Sequence, residues 1–200
     1  MKKCPSCAKE IQDGSMVCHF CGELVHDAEA GVPPPPVYFP VSVKKLILMS
    51  IFTLGLYQVY WFYKNWRLIR ENEGWKVHAG IRAFFAIFFC YSLIKRILER
   101  AKSLDLITSA KPRGLTAGWI LFAYIFNFLP DPFWLIGLYS VLFLVPVQRA
   151  SNAINEALSP GHDRNTRFSS LNIVLILIGL MILILSILEA LGTFLSPISE

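Results

Sequence analysis

Charged residues are scarce in this chain: they make up 16% of its 200 residues, whereas soluble domains usually contain about 25%. Hydrophobic residues reach 54% and are gathered into long blocks. A water-soluble fold of one or two domains could not bury such blocks. The shortage of charge therefore excludes an ordinary soluble protein and predicts an integral membrane protein.

The motifs of common hydrolases and nucleotide-binding enzymes are also missing. The sequence contains no H-E-x-x-H motif, no P-loop and no paired carboxylates. Ser140 lies in an apolar block, but none of these blocks contains the histidine that an intramembrane serine protease needs. We therefore predict no catalytic residue, no organic cofactor and no enzymatic activity.

A cleavable signal peptide is not recognisable either, because the first apolar block begins near Leu46, after a cysteine-rich segment. We expect the N-terminus to stay in the cytosol. Thiols remain reduced in that compartment and are free to bind a metal.

A metal-binding pattern is what this N-terminal segment does contain. Two C-x2-C pairs are separated by ten residues, and their members are Cys4, Cys7, Cys18 and Cys21. Zn²⁺ prefers four such ligands in a tetrahedron, and a two-residue spacing allows one turn to direct both sulfurs of a pair at one ion. Gly22 can adopt the positive φ that such a turn needs. We predict a structural zinc ribbon over residues 1–25 with these four cysteines as ligands.

Two alternatives to zinc are a redox-active cysteine pair and a disulfide framework. The βαβ context of redox pairs is absent, and a cytosolic location disfavours disulfides. So short a segment also buries too little apolar surface to fold alone, so that the metal would supply the folding energy. Ile11 belongs to its expected minimal core, whereas His19 and His26 are spare because four cysteines already fill the site. A zinc ion with four protein ligands has no coordination position open for water or substrate, so we expect no catalysis at this site.

Charge indicates what the ribbon contacts. Residues 1–31 carry a net charge of −2, and the rest of the chain carries +7. Nucleic-acid phosphates are recognised by clustered Lys and Arg, so we expect this segment to contact protein and not nucleic acid. It resembles the short zinc ribbons at the N-termini of many bacterial membrane proteins, through Cys4, Pro5, Cys7, Cys18, Cys21 and Gly22. That resemblance implies a small β-module held together by zinc.

Residues 26–42 are predicted to form a proline-rich linker. Its four consecutive prolines, residues 33–36, would extend over about 12 Å as a polyproline II helix. Such a spacer would hold the ribbon away from the membrane. The alternative is a ligand for an SH3-type domain.

Residues 43–200 are predicted to form an all-α membrane domain with four to five embedded segments. The apolar blocks are residues 46–63, 83–94, 114–129, 133–147 and 171–192. A helix needs about 20 residues to cross a bilayer core. The first block is therefore just long enough, the second is a short span or dips into one leaflet, and the last is the clearest span.

Proline and polar residues mark the connections between the later blocks. Residues 130–132 read Pro-Asp-Pro, which predicts a tight helical hairpin between the third and fourth blocks. Residues 148–170 are polar, and we expect a short interfacial helix there. One face of that helix would consist of Ala150, Ile154, Ala157 and Leu158.

Basic residues indicate the topology, because they concentrate in cytosolic loops. Six lie in residues 95–113 and three in 148–170, which predicts cytosolic loops there, with the hairpin tip and the C-terminal tail outside. Residues 64–82 hold five more, and these would face outward if block 46–63 spans. We favour two spans for the first two blocks. The alternative, that both are shallow and re-entrant, removes this conflict.

Residues 43–66 are similar to the opening of a family of uncharacterised bacterial membrane domains whose first helix carries a Thr-Leu-Gly-x-Tyr…Tyr-Trp run. The matching residues are Thr53, Leu54, Gly55, Tyr57, Tyr60 and Trp61. The resemblance implies a multi-pass protein of the bacterial inner (cytoplasmic) membrane. It implies no activity and no catalytic residue.

The predicted function combines these parts. We expect a non-enzymatic protein embedded in the lipid bilayer, whose cytosolic zinc ribbon docks a cytosolic or membrane protein partner, with no process or oligomeric state indicated. The alternative is a small transporter or channel component with the ribbon as a regulatory appendage. A transport path would show several inward-facing polar residues, and few are recognisable within the apolar blocks.

Overall fold

The computed structural model describes residues 2–4, 6–11, 18–22, 34–106, 109–129 and 133–195. The chain is mostly helical, as expected. One short antiparallel strand pair, β1 (Lys2–Lys3) with β2 (Glu10–Ile11), lies in the N-terminal segment. The helices are α1 (Val43–Phe52), α2 (Leu56–Glu73), α3 (Ala79–Phe84), α4 (Ala86–Ser103), α5 (Pro112–Ile120), α6 (Val141–Leu158) and α7 (Ser170–Leu195).

The first apolar block, residues 46–63, is not one helix. It is divided between α1 and α2 by Thr53, Leu54 and Gly55, and both Leu54 and Gly55 have positive φ, 51° and 88°. The Thr53 hydroxyl donates to the Met49 carbonyl (2.6 Å) and accepts from the Tyr57 amide (2.9 Å), which joins the two helix ends. With 10 residues, α1 rises only about 15 Å, which is half of a bilayer core.

The second block, residues 83–94, is divided in the same way. Helix α3 ends at Phe84 and α4 begins at Ala86, with Phe85 between them outside α-helical geometry at φ −92° and ψ 42°. Helix α4 then continues well beyond the block, to Ser103. Its first half is apolar and its second half carries basic residues.

The third block forms a helical run close to its expected bounds, whereas the fourth continues well beyond residue 147. Helix α5 continues through a π-helical turn (Leu121–Ile125) and a 3₁₀ turn (Phe126–Phe128). A 3₁₀ helix (Phe133–Ser140) leads directly into α6. The proline turn of residues 130–132 lies outside the described residues.

The short helix expected within residues 148–170 is the second half of α6. Ala150 and Ile154, which were expected on one face of this helix, are buried in the hydrophobic core. They are covered because α6 packs against α1, α4 and α5.

Two helical stretches within the described residues are long and apolar enough to cross a membrane. Phe133–Leu158 has a mean hydropathy of 1.5 and is 39% buried inside the protein, whereas Ser170–Gly192 has a mean hydropathy of 3.1 and is 6% buried. A core helix of a soluble protein meets the same length and hydropathy test. The second stretch has few buried residues, and it exposes more apolar surface than a monomeric soluble protein usually does.

The C-terminal part of the expected linker is not a free spacer. Val37, Tyr38, Phe39 and Val41 are buried in the main hydrophobic core. Asn155 of α6 accepts from the Tyr38 amide (2.9 Å) and donates to the Tyr38 carbonyl (2.8 Å), as a neighbouring β-strand would. Further hydrogen bonds to this segment come from Asn65, Asn72, Gln148, Asn152 and Ser159.

The two ends of the helical body differ in charge. At one end lies a cavity of about 220 Å³. It is lined by the turn at residues 54–56, the start of α4, the end of α5 and Gly137–Ser140. At the opposite end, the C-terminal halves of α2, α4 and α6 meet around the buried segment. Among the described residues, those at the first end are mainly apolar, and the charged residues of α2, α4 and α6 lie toward the other end.

Candidate metal centre

The four predicted ligands come together in the structure. The sulfur atoms of Cys4, Cys7, Cys18 and Cys21 all lie within 4.8 Å of one another. Cys4 Sγ is 3.6 Å from Cys21 Sγ, and Cys7 Sγ is 3.5 Å from Cys18 Sγ. A tetrahedral zinc site with Zn–S bonds of about 2.3 Å has sulfur–sulfur edges of about 3.8 Å, whereas a disulfide brings two sulfurs to about 2.05 Å. The four thiols can therefore hold one metal ion.

Each C-x2-C pair is followed by the same backbone turn. The Ala8 amide donates to the Cys4 carbonyl (2.9 Å), and the Gly22 amide donates to the Cys18 carbonyl (2.7 Å). The residue after each pair has positive φ: 57° at Ala8 and 76° at Gly22. The expectation for Gly22 is confirmed, and the matching turn at Ala8 has no glycine to signal it in the sequence.

The environment of Cys18 favours a thiolate. Burial acts to raise its pKa, but hydrogen bonds from the backbone amides of Cys21 and Phe20 outweigh this, so the pKa of Cys18 falls to about 6. Metal ions bind the thiolate form. Amide donors around the sulfur are therefore suited to a metal-binding cysteine.

A minimal core surrounds the thiols. Cys4, Ile11 and Cys18 are buried together, with Cys7 packed against them, which confirms Ile11 as a core residue. His19 stacks beside Phe20 with ring centroids 3.9 Å apart and is not part of the thiol cluster. His26 lies outside the described residues.

The second cysteine pair lies against the helical body instead of being held away from it. Arg100 of α4 donates to the Gly22 carbonyl at 2.6 Å. A groove of about 360 Å³ separates the two parts, and we call it the ribbon groove. Its walls are formed by His19, Phe20, Val37, Tyr38, Arg96, Glu99 and Arg100, among others.

The buried polar side chains of the body are the residues that sequence reasoning missed. Asn65 and Asn72 are seven residues apart on α2, and Gln148 and Asn155 are seven residues apart on α6, with the half-buried Asn152 between them. Each set therefore lies on one helix face. That periodicity is visible in the sequence, but it lies in polar stretches that the sequence argument assigned to the membrane surface and not to a buried core.

The comparisons with protein-family models, with curated proteins and with solved structures each found no match. The resemblance of the N-terminal segment is supported at the level of a clustered four-cysteine site. The resemblance of residues 43–66 to an uncharacterised membrane family stays a prediction.

Proposed function

We propose that this chain is an integral membrane protein whose cytosolic four-cysteine knot binds structural zinc and docks a partner protein. The observation that carries the proposal is the thiol cluster at the charged end of a body whose opposite end is apolar. The knot and the charged helix ends meet at Arg100. A docking module there would stand next to the membrane surface.

Zinc is the metal that this donor set fits best. Four thiolates in a closed tetrahedron are typical of structural zinc, which needs no open position and no redox change. Four thiolates and one Zn²⁺ carry a charge of −2. Cys18, Cys21 and Arg100 line the same groove, so we expect the negative charge of the loaded knot to attract the Arg100 guanidinium.

The apolar end of the body fits one leaflet of a bilayer. Leu56, Phe84, Phe88, Phe128 and Phe133 are large, exposed and located at this end. The apolar halves of α2 and α4, residues 56–63 and 86–94, rise about 12–14 Å, close to half of a bilayer core of about 30 Å. We propose that these helices are re-entrant and that lipid covers their exposed aromatic side chains.

Helix α7 extends beyond this leaflet. Gly179 lies against the carbonyl of Phe52 at the end of α1, so about 14 Å of helix separates it from Ser170 and about 20 Å continues to Gly192. Helix α7 then crosses both leaflets. The N-terminus and the basic stretches 64–82, 95–113 and 148–170 lie in the cytosol, and the C-terminus lies outside.

Phe20 is the residue most suited to contact a partner. Its side chain is 51% exposed although it stands beside the ribbon groove, and the Lys9 ammonium lies 4.4 Å from its ring centre. An exposed aromatic ring on a rigid turn offers a large contact area with little loss of side-chain entropy. A protein that fills the groove would cover this ring.

The transport alternative depends on buried polar groups that line a path. The body contains such groups, but those described above donate to or accept from the buried segment and one another. Gln58, for instance, donates to the Ser140 hydroxyl (2.9 Å) and accepts from the Trp119 indole (2.6 Å). Polar side chains that already hydrogen-bond to other protein groups favour a structural role over the lining of a transport path. The docking function is therefore the better supported of the two.

A photo-crosslinking amino acid placed at Phe20 in the full-length protein tests the docking role in cells. We expect a discrete protein adduct from position 20 that disappears with Cys4→Ser, because the knot then loses its metal. The same probe at Lys3, an exposed residue of β1, is the matched control and should give no such adduct. An adduct that persists in Cys4→Ser, or equal adducts at both positions, would contradict a zinc-dependent docking surface.

A further inference from the structure

A second site lies between α7 and the hairpin of α1 and α2. It is a cavity of about 690 Å³, within the range of about 300–1,000 Å³ that small-molecule sites occupy. One end is lined by the polar and basic residues that precede α7. The remainder is lined by apolar side chains, chiefly Met49, Phe52, Tyr57, Leu175, Ile178 and Ile182.

Among the residues that the structure describes, two cations and no carboxylate line this cavity. The cations are Lys45 and Arg167. Lys45 as a whole residue is 4% exposed, and its ammonium donates to the Asn165 side-chain oxygen (2.8 Å) and the Arg167 carbonyl (2.6 Å). Asp163 acts on Lys45 electrostatically but does not line the cavity. An ammonium whose hydrogen bonds go to neutral oxygens retains a positive charge that an anion can match.

The apolar part is shaped by the contact between α1 and α7. A Cβ at Gly179 would collide with the carbonyl of Phe52, so glycine allows the two backbones to touch at this level. Residues 171–178 of α7 and residues 49–57 form the cavity walls between this contact and Lys45. The cavity is therefore amphiphilic, with its cations at the charged end of the body and its apolar walls toward the apolar end.

We propose that this cavity binds a glycerophospholipid with an anionic headgroup, with the phosphate near Lys45 and Arg167 and an acyl chain along α7. The charge of the lining selects an anion, and the apolar walls select one that carries a hydrocarbon chain. The cavity also has the orientation of a lipid in the cytosolic leaflet. The site depends on the membrane location proposed above, but not on the protein-docking role of the zinc knot.

Native mass spectrometry of the full-length protein in detergent, with phosphatidylglycerol or phosphatidylcholine added, tests this site. We expect the wild-type protein to retain phosphatidylglycerol several-fold more than phosphatidylcholine. The double variant Lys45→Gln/Arg167→Gln should lose this preference, whereas Lys44→Gln, an exposed neighbour, should keep it. Excess inorganic phosphate should not displace the lipid, because it cannot occupy the apolar walls.

A second pair of variants fills the cavity without changing its charge. Leu175→Trp should reduce the binding of phosphatidylglycerol several-fold, because Leu175 lines the cavity. Leu180→Trp, at a similarly exposed position of α7 outside the lining, should not. Equal retention of the two lipids by the wild type, an unchanged preference in the double variant, or displacement by phosphate would overturn the proposal. A protein that is soluble without detergent would instead contradict the membrane location itself.

Discussion

Single residues determine how the buried segment is held. Asn155 satisfies both the amide and the carbonyl of Tyr38, which would otherwise be buried without partners. The spacing of the cysteines predicts a metal site, because two residues between paired thiols is a pattern typical of metal ligands. The asparagines do not, since an amide side chain is equally common in an exposed loop. The clustering of the four thiols could therefore be predicted from the sequence, and the amide contacts could not.

Replacing Asn155 with alanine should destabilise the body by roughly 1–3 kcal/mol, because buried backbone groups then lose their hydrogen bonds. Glu156→Ala is the matched control: Glu156 is adjacent and exposed, and its ion pair with Arg164 lies at the surface, where such pairs contribute about 0–1 kcal/mol. Denaturant unfolding of both variants in the same detergent measures the difference. Equal stability of the two variants would show that Asn155 does not hold the segment.

At the scale of elements, hydropathy located the apolar blocks but not the breaks inside them. Residues 46–63 are apolar throughout, yet Thr53 and Gly55 end one helix and begin another. A glycine in an apolar run is compatible with an unbroken helix, so only the positive φ at Leu54 and Gly55 reveals the turn. Block 171–192 contains no such turn among its described residues, and there the expected helix is confirmed.

Two glycines offer a direct test of the break between α1 and α2. Neither Gly55 nor Gly80 has an atom within 4 Å of an added Cβ, so packing does not distinguish them. Gly55 has a φ of 88°, and alanine there should cost about 1–2 kcal/mol. Gly80 lies in α3, where alanine should stabilise by about 0.4–1 kcal/mol.

Unfolding midpoints of the two alanine variants against the wild-type protein provide the measurement. We expect the unfolding midpoint of Gly55→Ala to lie below that of the wild-type protein and the midpoint of Gly80→Ala to lie above it. If Gly55→Ala were as stable as Gly80→Ala, residues 46–63 would be a continuous helix.

At the scale of the whole molecule, the sequence predicted that basic stretches would lie on one side of the protein. It did not predict how the helices bring them together. Counting basic residues placed 95–113 and 148–170 on one side, but it left 64–82 in conflict with two full spans. The structure brings the charged halves of α2, α4 and α6 together, and the re-entrant arrangement proposed above accommodates all three stretches. The arrangement of the charged helix halves depends on contacts between residues far apart in the sequence, and local sequence patterns do not reveal it.

Residue 76 distinguishes the re-entrant arrangement from two full spans. Lys76 is exposed and lies between α2 and α3, so a cysteine there should be protected from a membrane-impermeant maleimide in spheroplasts and labelled in inverted vesicles. Ser199→Cys, in the C-terminal tail, is the control and should show the opposite pattern. Labelling of Lys76→Cys from outside would establish that the first two blocks cross the membrane.

The most direct test of the whole account is the zinc content of full-length protein that has been extracted from membranes with detergent. We predict one zinc ion per chain, which is lost in Cys4→Ser and retained in Cys90→Ser, because Cys90 is buried in the helical body and lies outside the thiol cluster. Protein found in the membrane fraction without zinc, or zinc that remains in Cys4→Ser, would contradict a metal-held knot on a lipid-embedded body.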